Sequence, residues 1–276
     1  MCGVRGSTPT PGAEFVRYGG HTSCVALAHD GAPPTLLLDA GTGLRAVSSL
    51  LAGGPFRGSL LLGHLHWDHT QGMPFFPAGD RPDARVDVCM PAQGDPETVL
   101  RTMMSPPFFP ITPRQLRGDW SFSALEAGHH RLEGFSVLAA DVPHKGGRTF
   151  GFRVSDGHSS LAYISDHCPT EFGPGPDGLG EYHDAAMALA RDADLLIHDA
   201  QYTDDELATK ADFGHAGCGY AVGLAAKAGA KRVMLFHHDP ARTDAEIDAI
   251  EEQYQKISGP EVVVAAAEGM EFDLPA

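Results

Sequence analysis

The sequence has no stretch that approaches the ~18 consecutive apolar residues of a membrane helix. Its N-terminus, Met1-Cys2-Gly3-Val4-Arg5-Gly6, lacks the basic-then-apolar pattern of a secretory signal, so a cytoplasmic location is expected. Cysteine is scarce: there are five, widely spaced and with no C-x-x-C pair, which argues against a disulfide framework or a thiolate zinc site. Cys168 stands apart because it follows a candidate metal ligand, Asp166. Positive charge is scarce too, with 20 Lys and Arg against 36 Asp and Glu and a net charge of −16. Nucleic-acid binders use a basic stripe to displace counterions, so a long nucleic acid is disfavoured as a partner. No linker, low-complexity tract or repeat divides the 276 residues, and a single domain over 1–276 is expected.

Apolar runs are short and recurrent. They predict strands at Thr22–Ala28, Thr35–Asp39, Ser59–Gly63, Val86–Met90, Phe135–Ala140, Phe150–Val154, Leu161–Ser165, Leu195–His198, Val233–His237 and Val262–Ala266. Helical spacing of Ile247, Ile250 and Tyr254 predicts a helix over Asp244–Lys256, and Ala216–Ala228 reads as another. The strand-rich first half and alternating last third imply two sheets packed together with helices outside. The loop Ser105-Pro106-Pro107-Phe108-Phe109-Pro110 reads as a packed crossover, a wall of the substrate pocket or a homodimer contact.

Fifteen histidines are present, several beside Asp in short clusters. The densest is Gly63-His64-Leu65-His66-Trp67-Asp68-His69, directly after a predicted strand. Alternation along an extended chain would bring His64, His66 and Asp68 to one side, with His69 turning in beside them. Imidazole and carboxylate are the donors that zinc and similar ions take. A solvated polar loop is the plain alternative, and a cluster this dense makes it the weaker one. One loop cannot enclose two metals, so further ligands are expected where later strands stop: His144, Asp166, His198-Asp199 and His237-His238.

Together these residues resemble the metallo-β-lactamase superfamily, and within it the phosphodiesterase branch that holds ribonuclease Z and cyclic phosphodiesterases. Further likeness lies in Arg5-Gly6-Ser7-Thr8-Pro9, Arg17-Tyr18-Gly19-Gly20-His21-Thr22-Ser23, Leu38-Asp39-Ala40-Gly41-Thr42-Gly43, Ile164-Ser165-Asp166, His198-Asp199-Ala200, Gly214-His215-Ala216-Gly217 and Phe236-His237-His238. The resemblance implies an α/β fold, a four-layer αββα sandwich with two divalent metals at one edge, zinc first and manganese or iron as alternatives. It implies one metal on His64, His66, His144 and a bridging Asp166, and a second on Asp68, His69, Asp166 and His237. His237 matches better than His238, while His198 and Asp199 match a pair that supports the site. The catalytic residues it implies are His215, Asp68 and Asp199: a metal-bridging hydroxide attacks, and His215, oriented by Asp199, protonates the departing alkoxide.

The substrate expected on these grounds is a small, perhaps cyclic, phosphodiester. The basic, Gly-rich arm with which ribonuclease Z grips transfer RNA has no counterpart here. A carbonyl hydrolase (lactonase, thioesterase or β-lactamase) could use the same metals but has less need of His215. A di-iron sensor or redox protein fits less well, since Asp68 and His69 are both present and no flavin domain is. Lys145, and after it Arg148, Arg5 and Arg17, are candidates to clamp a substrate phosphate. The opening Met1-Cys2-Gly3-Val4 leaves room only for a short edge strand unless the chain starts upstream.

Overall fold

The computed structural model describes residues 1–257 and 259–275. One sheet runs in the order β1 (Val25–Leu27), β2 (Leu36–Leu38), β3 (Arg57–Leu61), β4 (Arg85–Pro91) and β5 (Asp119–Leu125). The other holds β6 (Gly128–Leu132), β7 (Phe135–Asp141), β8 (Phe150–Ser155), β9 (Ser160–Ile164), β10 (Leu195–Asp199), β11 (Arg232–Phe236) and β12 (Val262–Ala265), again in chain order across the sheet. Strands β2 to β5 are parallel, as are β9 to β12, while β6 to β9 form an antiparallel meander. The helices are α1 (Trp67–Thr70), α2 (Pro96–Arg101), α3 (Asp184–Ala190), α4 (Asp204–Lys210), α5 (Cys218–Ala228) and α6 (Asp244–Tyr254). No helix among the described residues is long and apolar enough to cross a membrane.

The central strands are apolar on both faces because both faces are covered. Leu36, Leu38 and Leu61 meet Phe152, Tyr163, Ile197, Met234 and Phe236 in the core between the sheets. The residues between them point the other way. Leu196, Val233 and Leu235 pack under α3, α5 and α6. Leu37, Leu60 and Leu62 pack under the 3-10 segment Thr42–Leu51 and its neighbours. The result is the four-layer αββα sandwich the sequence implied. All ten predicted strands and both predicted helices are present, with ends that differ by up to three residues in either direction. β5 and β6, which no apolar run announces, lie at the outer edges of their sheets, where burial is partial.

Parallel strands end on one edge of a sheet, and that edge is where open α/β folds place their sites. β3, β9, β10 and β11 all point to it, and β7 does as well, because β8 reverses between β7 and β9. The N-terminal segment sews the two sheets together there. It forms bridges rather than a strand: Gly3 with Cys24, and Arg5 with both Thr22 and His238. The Arg5 side chain is fully buried, with Nε donating to the Gly19 carbonyl at 2.7 Å and Nη1 to the Arg242 carbonyl at 2.6 Å. Replacing it strands buried carbonyls and the neighbouring Asp244 carboxylate. We therefore expect Arg5→Ala to lower the free energy of unfolding by about 3 kcal/mol, read from urea denaturation; a change under ~0.5 kcal/mol would show that the segment is not a clamp.

Candidate metal centre

The extended chain after β3 continues only through His66. The one-turn helix α1 then turns Asp68, His69 and Thr70 inward and leaves Trp67 outside, so helical rotation, not strand alternation, delivers Asp68 and His69. His144 follows β7, Asp166 follows β9, and His237 follows β11.

Two groups of donors result. In the first, His144 Nε2 lies 3.3 Å from His66 Nδ1 and 3.7 Å from Asp166 Oδ1, and His64 Nε2 is 3.8 Å from the same oxygen. In the second, His69 Nε2 is 3.2 Å from Asp68 Oδ2, 3.3 Å from His237 Nε2 and 3.0 Å from Asp166 Oδ2. His237 Nε2 stands 3.2 Å from Asp68 Oδ2 and 3.5 Å from Asp166 Oδ1. Two donors bound about 2.1 Å from one ion at the tetrahedral angle are separated by about 3.4 Å, so both groups have the spacing of a closed ligand set. Asp166 faces both.

The polar bookkeeping supports the same reading. Both ring nitrogens of His64 and Nδ1 of His237 are buried without a hydrogen-bond partner. Such atoms are costly unless a ligand satisfies them. Burial pushes His64 well below the usual imidazole pKa, and it also lowers His66 and His144, which keeps their lone pairs free. Burial opposes ionising Asp166, but the facing His237, His69 and His64 outweigh it and hold the carboxyl well below the usual range. At His69 burial opposes charge, yet Asp166, Asp68 and Asp39 together raise its pKa. Three carboxylates around one imidazole favour positive charge at that point, which a divalent cation also supplies.

A ring of supports fixes these side chains. Asp39 Oδ2 accepts from His69 Nδ1 at 2.8 Å and from the Tyr163 hydroxyl at 2.6 Å, while its Oδ1 takes the Gly63 N–H at 2.7 Å. His144 Nδ1 donates to the Gly214 carbonyl at 2.7 Å, and the Ser7 N–H donates to Asp68 Oδ2 at 2.7 Å. Asp199 Oδ2 accepts from His215 Nδ1 at 3.0 Å and from the backbone N–H of His167 and Ala216. His237 is held at φ 60°, a region that few non-glycine residues enter. A Cβ on Gly6 would come 2.5 Å from His237 Nδ1, so that position admits only glycine while the imidazole stays where it is.

A sequence model described as the beta-lactamase superfamily domain matches residues 35–238. The chain belongs to this superfamily. The curated ribonuclease Z of Halobacterium salinarum is 26% identical, with 85% of this chain and 84% of that protein aligned. Among solved structures, the metallo-β-lactamase fold protein YhfI from Bacillus subtilis superposes with a TM-score of 0.72 at 17% identity, covering 99% of this chain and 98% of that one. The short form of human tRNase Z gives 0.67 at 20% identity, covering 100% and 98%. These likenesses confirm the fold, and membership implies divalent metal ions.

In this superfamily member the seven residues expected as ligands, His64, His66, Asp68, His69, His144, Asp166 and His237, come together, and His215 joins them. His238 turns away to the Ala266 carbonyl, its pKa pushed down to about 3 by burial. His198 also turns away. Its ring lies against His167, and only its neighbour Asp199 reaches the site. The cations expected to clamp phosphate are engaged elsewhere. Lys145 Nζ donates to the Asp212 carbonyl, Arg148 pairs with Asp141 and Glu126, Arg17 pairs with Asp248, and Arg5 is buried under carbonyls. Cys168 is buried, and its Sγ sits near Thr170 Oγ1 and the Ala211 carbonyl, not among the ligands.

Asp39 is the residue to which sequence reading assigned no role. Its only signal is an Asp that ends an apolar strand before Ala-Gly. Because it fixes the tautomer and orientation of His69, Asp39→Ala should weaken metal binding about 10- to 100-fold in competition with a chromogenic chelator. Wild-type affinity in that variant would remove the positioning role.

Proposed function

We propose that the chain is a metal-dependent phosphodiesterase that hydrolyses a small phosphodiester, with His215 as the acid for the leaving oxygen. The observation that carries this is the Asp199–His215 pair beside both donor groups. Nδ1 of His215 is held by Asp199 at 3.0 Å, its ring lies 5.1 Å from that of His144 and 5.0 Å from that of His237, and it lines a pocket together with Asp68 and Asp166. With Nδ1 engaged, Nε2 is the nitrogen left to carry a proton into that pocket.

His64, His66, His144 and Asp166 would hold one divalent ion and Asp68, His69, Asp166 and His237 a second, zinc in our reading. Such ions acidify water and neutralise charge on phosphoryl oxygens. The remaining work falls to the protein. A phosphodiester expels an alkoxide, which departs slowly unless protonated. Burial tends to discharge His215, but the charge and hydrogen bond of Asp199, with Asp166 and Asp68 behind, raise its pKa and keep the acid form available. Carbonyl hydrolysis makes a weaker demand for such an acid, which is why the lactone and thioester alternatives rank below. The ribonuclease Z relative suggests RNA as the other substrate class. A net charge of −16 and a pocket lined without Lys or Arg favour a small molecule. The five free, buried cysteines are consistent with the reducing cytoplasm.

A panel of bis-(p-nitrophenyl) phosphate, cyclic nucleotides, an RNA oligonucleotide, a homoserine lactone and a thioester tests the assignment. Turnover of the lactone alone would sink it. His215→Ala should lower kcat about 10²- to 10⁴-fold on an alkyl-leaving diester and far less when p-nitrophenolate leaves, because the latter needs no proton. The pH profile carries a sign. A general acid works while protonated, so activity should fall as pH rises through a pKa above the ordinary histidine value. In Asp199→Asn that fall should move to lower pH, and an unmoved limb would assign it to another group.

A further inference from the structure

The pocket beside the ligands has a cavity volume of about 360 Å³ and is lined by Ser7, Leu65, His66, Trp67, Asp68, Asp166 and His215. Taking away the ligands and His215 leaves Ser7, Leu65 and Trp67. None is charged, and the nearby cations are committed to other partners, Lys145 to Asp212 and Arg148 to Asp141 and Glu126. The lining left to meet the part of a substrate beyond its phosphate is therefore uncharged, and apart from Ser7 it is apolar.

Trp67 is the large apolar surface available. In α1 its three successors are buried, whereas Trp67 is 75% exposed. No aromatic ring or cation among the described residues stacks on its indole, although rings elsewhere in the site pack against one another. An indole is the largest apolar side chain and is rarely left open without a partner. Its backbone is held on both sides, since the flanking His66 and Asp68 belong to the two donor groups.

We propose that Trp67 is the specificity-determining residue of the site, and that its indole stacks on a flat aromatic substituent carried by the phosphodiester. The substrate class is then a small phosphodiester bearing an aromatic ring, a nucleobase being one such group. This rests on the phosphodiesterase reading above. The contact is sequence-tolerant in the sense that any π-face serves, and it costs little ordering because the indole has two rotatable bonds and an anchored backbone.

The test uses a pair of probes that differ only in the ring: a nucleoside 2′,3′-cyclic phosphate and its abasic ribose counterpart, which share the reacting group and leaving oxygen. With the metal-loaded enzyme, Trp67→Ala should raise KM for the nucleoside substrate about 10-fold with kcat nearly unchanged. It should leave the abasic substrate within about twofold, and Trp67→Phe should restore most of the loss. A binding readout runs independently of turnover. Trp120 is the other tryptophan of the chain, so Trp120→Phe makes Trp67 the sole indole. Its fluorescence should then be quenched saturably by a nucleoside monophosphate and not by ribose 5-phosphate. Equal losses on both probes, no loss on either, or equal quenching by ribose 5-phosphate would overturn the stacking role. If no phosphodiester is turned over, the underlying reading fails, and the quenching titration still decides whether Trp67 takes an aromatic phosphate.

Discussion

Asp39, Asp68, Asp166 and Asp199 are all buried at one edge between two apolar sheets, among the buried imidazoles of His64, His69, His144, His215 and His237. Carboxylates so close cannot all stay ionised in a low-dielectric setting unless positive charge is interleaved with them. His69 and His215, whose pKa values are raised by these carboxylates, supply part of it, while burial drives His64 and His144 toward the neutral form. The neutral imidazoles and ionised carboxylates that remain are the donor set a divalent cation takes. The rest of the local structure can be read as what it takes to hold these groups in place.

The backbone records that demand. His237 and Asp39 both adopt positive φ, at 60° and 61°, each at the point where an apolar strand ends and a polar group must turn into the cluster. Such conformations cost of order 1–3 kcal/mol and persist only where the surroundings over-determine them. At Asp39 the surroundings are the Gly63 N–H, the His69 ring and the Tyr163 and Ser165 hydroxyls, all converging on one carboxylate. At His237 they are the ligand set on one side and the bare backbone of Gly6 on the other. The N-terminal segment thus has two duties. It closes the seam between the sheets through Arg5, and it presents Gly6 and the Ser7 N–H to His237 and Asp68.

The strands were legible because burial on both faces writes itself as a continuous apolar run, and the ligands were legible because metal donors at strand ends are few in kind. Edge strands β5 and β6 bury little and left no such run. Asp39 escaped because its meaning is a contact with His69 thirty residues away, which no local spacing encodes. Lys145, Arg148, Arg17 and Arg5 were suggested as phosphate clamps by proximity in sequence, yet in a chain with 36 acidic residues each is engaged by a carboxylate or carbonyl of the protein. His198 precedes Asp199 in β10, where extended backbone sends adjacent side chains to opposite faces, whereas His238 follows a residue at positive φ and its ring turns to the Ala266 carbonyl.

The scarcity of free cations also bears on selectivity. The site attracts an anion only through what the ligand cluster holds, and that attraction is local, whereas the net charge of −16 acts over the ~8 Å Debye length at physiological salt. A single phosphodiester carries one charge and meets the repulsion once before reaching the cluster. The pocket lining offers no positive side chain to a further phosphate, which on the proposed function would add repulsion without adding a contact there. On that reading the surface as a whole would penalise length of substrate, while the few uncharged side chains of the pocket would face the group next to the reacting phosphate. On the proposed function, size and ring character would be selected by separate parts of the molecule, the first by distributed charge and the second by contact within the pocket.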